Sequence, residues 1–220
     1  MWERLIVLGM FYQRVEECIQ TKNIEEIPRQ IGVFTHLIEE GSLREELANI
    51  PIRYQVQMDL TKRISDERVV LGGVNNPRYM ECFSAMLHGI HCHDGVAIDT
   101  MAEHHTAAFS TYYQPFMEEH EYILENYLVN YAYKNMFPFG SHPGVYDNYV
   151  IMIVHYAMIK LHLIGMAGFH QGLTTELVIK LIQSFSKTVE HNTLFVRNIF
   201  KLLKDNQYTS MAYISILVKN

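Results

Sequence analysis

The chain has 220 residues, enough to bury a full hydrophobic core as one large domain or two small lobes without disulfide or metal staples. Eighteen Lys and Arg against twenty-four Asp and Glu leave a net charge of −6, so there is no basic excess to hold a nucleic-acid backbone by counterion release. Three widely spaced cysteines, Cys18, Cys82 and Cys92, make no disulfide framework and point to a reducing compartment, the cytoplasm.

From Trp2 to Gln20 the apolar positions Leu5, Ile6, Leu8, Phe11, Tyr12, Val15 and Ile19 keep a helical period. A helix that opens at the second residue, with no leader or cap before Trp2, suggests that Met1 stands at a cut through a longer protein. Asn23 with Glu26, and Ser42 with Glu45, read as capping boxes for two further helices, the first ending at Gly41 and the second before Pro51. A long helix is expected from about Ile52 to Val70. The loop Gly72 to Pro77 follows, and it would separate sub-lobes 1–72 and 76–220 if the domain divides. Arg78 to His91 and Ala97 to Tyr112 are the next helical candidates.

Pro115 is placed to start a helix and Pro138 to stop it. Phe137 to Gly144 is the second strong loop. Tyr146 to Phe169, Thr174 to Ser186, Asn192 to Leu203 and Thr209 to Val218 complete the chain. The most apolar run, Tyr149 to Phe169, is interrupted by His155, Lys160 and His162 and so is not read as a membrane span. With no strand signal anywhere, the expected fold is all-α, a bundle of about nine helices in a single domain.

The helix between Pro115 and Pro138 carries two stripes. Ile123, Leu124, Tyr127, Leu128 and Tyr131 form a core face, while Glu119, Asn126, Asn130 and Lys134 lie within ~80° of one another on another. Asparagine is a poor helix former, so two in mid-helix imply specific partners: a neighbouring loop or helix, or a polar ligand.

The run PFMEEHEYILENYLVNYAYKNMFPFG, Pro115 to Gly140, resembles the characteristic segment of bacterial flagellin lysine-N-methylases. WERLIVLGMF, Trp2 to Phe11, is similar to the start of their C-terminal half, and MIKLHLIGMAGFHQG, Met158 to Gly172, also resembles the family. The resemblance implies methyl transfer from S-adenosylmethionine to lysine side chains of flagellin, assisted by a [4Fe-4S] cluster. In those proteins the cluster's cysteine-rich motif lies in the N-terminal part, which would be this chain's partner domain. Cys18, Cys82 and Cys92 have none of the close spacings of a four-thiolate site.

A lysine attacks a methyl sulfonium only as the free amine, so a site must counter a pKa of about 10.4 and hold the reactants in line. Tyrosine hydroxyls, amide oxygens and aromatic faces serve a cationic donor well. Glu125, Asn126, Tyr127, Asn130, Tyr131 and Tyr133 are the densest local supply and the candidate binding residues, for cofactor or substrate, with no catalytic base identified. No G-x-G-x-x-G follows a strand, so the donor would lie in an unfamiliar helical pocket, or else this domain docks flagellin for a catalytic domain.

The other motifs read as structural. His88 and Cys92 share a helix face, but a metal needs about four convergent ligands and no second pair is placed. His120 lacks the partner histidine of a zinc-protease motif, because Leu124 stands four residues on. Gly165 and Gly168 imply close helix packing, and His155 and His162 are better read as core histidines than as ligands.

Overall fold

The computed structural model describes residues 1–70 and 75–219, with backbone alone at 61 and 65–70. Among the described residues there are twelve α-helices and no strand, so the all-α expectation holds with a count close to that expected. They are α1 (Trp2–Gln20), α2 (Ile27–Glu40), α3 (Leu43–Ala48), α4 (Tyr54–Val70), α5 (Pro77–Gly89), α6 (Ile98–Ala108), α7 (Gln114–His120), α8 (Tyr122–Lys134), α9 (Val145–His170), α10 (Thr175–Phe185), α11 (Thr193–Asp205) and α12 (Met211–Val218). The loop at Gly72 lies outside the described residues. Contacts group the chain into two interleaved units: Met1–Ile52 with Glu125–Val154 and Gln207–Asn220, and Arg53–Leu124 with His155–Asn206.

Several helix ends differ from the sequence expectation. Neither Asn23 nor Ser42 caps with its side chain; a 3-10 turn, Ile24–Glu26, leads into α2 with Pro28 in its first turn, and the Ser42 hydroxyl points back to the Leu37 carbonyl at 3.5 Å. Gly41 does end α2, in the left-handed conformation at φ 68°. Asn76, Thr174, Asn192 and Ser210 provide the working caps, each accepting a bond from an N–H three residues on.

Pro115 is not at a free helix start. A π-helical turn, Phe109–Tyr113, joins α6 directly to α7. In an unbroken α-helix Pro115 would have no N–H to give the Thr111 carbonyl, and the widened turn just before it accommodates that loss.

In the first unit α1 packs on α2 and α12. The Lys219 ammonium donates to the carbonyls of Leu47, Ala48 and Ile50 at 3.0, 2.7 and 2.8 Å, closing the C-terminal end of α3 where carbonyls and helix dipole favour a cation. Gly9 lets the Tyr149 ring lie against α1, where its hydroxyl donates to the Leu5 carbonyl at 2.8 Å. The loop after α8 is tied to α9 by Asn148, which accepts from the His142 N–H and donates to the carbonyls of His142 and Gly144.

In the second unit α4 packs on α6 and α11, and α5 on α10. Backbone of α5 and α9 meets at Gly89, Gly165 and Gly168, the close approach expected of the glycine pair. On the same two helices the Tyr79 hydroxyl and His162 Nε2 are hydrogen-bonded at 3.2 Å while His162 Nδ1 donates to the Met158 carbonyl at 2.7 Å, so both ring nitrogens of this core histidine are satisfied.

Helix α9 is long and apolar enough to cross a bilayer by length and mean hydropathy, but every residue from Asn148 to Ala167 is buried. It is a core helix, and its burial makes the polar groups along it chemically costly.

Candidate functional site

The six residues singled out on the central helix divide between its faces. Tyr127 and Tyr131 are buried with the core stripe, their rings 6.3 Å apart. Glu125, Asn126, Asn130 and Tyr133 are exposed, so one bound molecule of cofactor size cannot touch all six. Among the described residues neither the Asn126 nor the Asn130 side chain is hydrogen-bonded, so of the two alternatives the bridge to a neighbouring loop or helix is not found. Tyr133 is 84% exposed and Val129, on the same face, 48%. The helix therefore turns two unbonded amides and a tyrosine to solvent.

Glu125 leads to a feature that the sequence reading missed. Its carboxylate accepts from Arg4 at 3.0 Å, and Arg4 stands at the mouth of a cavity of about 500 Å³ in the same unit. Val7, Leu8 and Phe11 of α1 form one wall, Ile31, Phe34 and Ile38 of α2 the other, and Leu43 and Leu47 of α3 close one end. Phe11 and Phe34 meet edge to face at 5.5 Å. Helix α2 buries no residue completely, and Ile31 and Ile38 are 52% and 61% exposed although they line the groove. The signal was in the sequence: Ile31, Phe34 and Ile38 stand at i, i+3 and i+7.

A second cluster sits in the other unit. Lys160 is only 6% exposed, its ammonium 5.9 Å from the Phe109 ring centre on the π turn, and burial pulls its pKa from 10.5 down to about 7. His105 is fully buried; neither ring nitrogen is hydrogen-bonded, and the ring packs on Tyr54 at 5.4 Å. Burial, then the Lys160 charge, pull its pKa to about 3, so its imidazole stays neutral. Burial likewise pushes the phenols of Tyr113 and Tyr156 up, with a smaller contribution from Glu121. A lysine amine near neutrality is a competent proton acceptor. Both groups are shielded from solvent, so neither meets a protein substrate directly.

The described residues do not fit an iron–sulfur cluster. Cys18 and Cys82 are buried in different units and Cys92 is half-buried, and no group of three or more His, Cys, Asp or Glu among the described residues could hold a metal. His88 spends Nδ1 on the Ser84 carbonyl at 2.7 Å, and His91 and His104 stack face to face at 3.6 Å without converging on a common point. The groove between α1, α2 and α3 is chiefly apolar. Its walls are hydrocarbon, the Thr35 hydroxyl is donated to the Ile31 carbonyl at 2.9 Å, and the charged groups that line it are Glu3, Arg4 and Arg44.

The family model described as the FliB lysine N-methylase C-terminal domain matches residues 1–217. This chain belongs to that family. No curated protein and no solved structure matches it. In this FliB C-terminal domain α8 turns Asn126, Val129, Asn130 and Tyr133 to solvent, and the second unit carries a buried lysine and histidine.

Proposed function

We propose that the full protein transfers methyl groups from S-adenosylmethionine to lysine side chains of flagellin in the cytoplasm, and that this chain supplies the surface that binds flagellin. The methyl donor and a [4Fe-4S] cluster belong, in this reading, to the N-terminal domain of the same protein. One observation carries the assignment: helix α8, in the segment that resembles the family most, presents Asn126, Val129, Asn130 and Tyr133 to solvent, and among the described residues neither amide side chain is hydrogen-bonded. Amides and a tyrosine on a rigid helix suit recognition of a polypeptide, because they bond its backbone at low entropic cost.

A polypeptide held there is also positioned for chemistry. Methyl transfer needs the target amine neutral and in line with the methyl–sulfur bond, and fixing the substrate backbone removes much of the orientational freedom that opposes this. Calorimetry with the 220-residue chain separates the two roles. Monomeric flagellin should give a saturable heat at one molecule per chain, and S-adenosylhomocysteine none. Heat with the nucleoside and none with flagellin would move the donor site into this domain and reject the docking role.

A further inference from the structure

We propose that the carbonyls of Leu47, Ala48 and Ile50 and the Trp2 indole form a binding site for a primary ammonium group, filled in the free protein by the chain's own Lys219 and taken over by an unmethylated lysine of flagellin. The exchange with flagellin rests on the reading of this chain as the flagellin-binding part of the methylase; the ammonium site does not.

The geometry is that of an ammonium cage. The three carbonyl oxygens stand 3.0, 2.7 and 2.8 Å from Lys219 Nζ, one for each N–H of the cation, and Nζ lies over the Trp2 ring, 4.9 Å from its centre. The carbonyls come from the last turn of α3 and the residues just after it, where helix carbonyls lack intrahelical donors and the dipole is negative. Walls and occupant all belong to the first unit.

Two observations separate the site from its occupant. The walls lie within residues 1–217, which match the family, and Lys219 lies beyond them. Lys219 also follows the end of α12, while Ala48 is exposed and Trp2 and Ile50 are half-buried, so the lysine side chain can leave toward the surface with α12 still packed.

Chemistry selects the ligand. An ammonium with all three N–H groups engaged keeps its proton, so the lysine held here is one that is recognised, not the amine that attacks the methyl donor. Each methyl added to a lysine removes one N–H and leaves one of the three carbonyls without that donor. The site therefore favours flagellin whose lysines are not yet methylated.

The test uses the 220-residue chain and its Lys219→Ala variant. That change removes Cγ through Nζ, the equivalent of n-propylammonium. Millimolar n-propylammonium should raise the thermal midpoint of the variant by several degrees and leave wild type unchanged. Trimethylpropylammonium, equal in charge but without N–H, should move neither. An equal response of the variant to the two salts overturns the ammonium site. Monomeric flagellin should bind Lys219→Ala several-fold tighter than wild type, because no internal lysine competes, and reductive dimethylation of the flagellin lysines should remove that gain. Flagellin affinity equal in the two proteins overturns the exchange and leaves docking on α8 standing. No flagellin binding by either protein removes the docking reading and the exchange with it, while the propylammonium comparison still decides the ammonium site. If Lys219→Ala does not fold, nitrogen NMR of the wild-type chain decides: the Lys219 ammonium protons should exchange slowly in the free protein and be lost at saturating flagellin, and their persistence overturns the exchange.

Discussion

Lys160→Met is expected to stabilise the protein by on the order of 3–5 kcal/mol at pH 7, measured by reversible denaturant unfolding. Burial lowers the Lys160 pKa from 10.5 to about 7, and at about 1.4 kcal/mol for each pH unit that difference is a folding penalty of this size. The sign follows from proton binding. Between about pH 7 and 10.5 the unfolded chain holds a proton on this lysine that the folded chain does not, so wild-type stability rises with pH through that window. Below it both states are protonated and the penalty is constant. Methionine fills similar space without charge, so the variant loses this slope, and its advantage should fade toward zero near pH 10.5. A variant less stable than wild type at every pH would show that the ammonium is held by pairing strong enough to offset its desolvation.

Gly89→Ala is expected to destabilise the protein by about 3 kcal/mol or more. A methyl at position 89 would lie 1.8 Å from the Gly165 carbonyl oxygen, and the obstacle is backbone, which no side-chain rotation can clear. Helices α5 and α9 would have to separate, loosening the Tyr79–His162 hydrogen bond between them. Gly32→Ala is the control: it lies inside α2 with nothing within 4 Å of the added methyl, so it should gain up to about 1 kcal/mol from helix propensity. Equal, small effects at both positions in thermal melts would contradict the glycine contact.

Helical periodicity was enough to read the fold class, the core stripe Leu124–Tyr127–Tyr131 and the close packing at Gly165 and Gly168, because each depends on residue spacing within one helix. Asn23 and Ser42 misled because a capping box needs a particular backbone conformation at the cap, and here a 3-10 turn and a helical Ser42 occupy those places. Pro115 marked a true irregularity, but spacing alone cannot tell a helix start from a π turn in a continuing helix. The candidate residues Glu125 to Tyr133 were read as one locus because they are near in sequence. At ~100° per residue they cannot share a face, and the structure puts the tyrosines 127 and 131 inward and the amides outward. The groove was illegible for another reason: its walls come from α1, α2 and α3, and whether an apolar stripe is covered is a tertiary property. Lys160 was visible only as an interruption of an apolar run, and its shifted proton affinity emerges from full burial on α9.

Hydrogen–deuterium exchange of the 220-residue chain, alone and saturated with monomeric flagellin, tests the docking role most directly. Protection should appear along α8, residues 122–134, while the amides around Lys160 and His105 exchange as in the free chain. Protection confined to the second unit, or no change anywhere on adding flagellin, would contradict the assignment of this domain as the flagellin-binding surface of a lysine methylase.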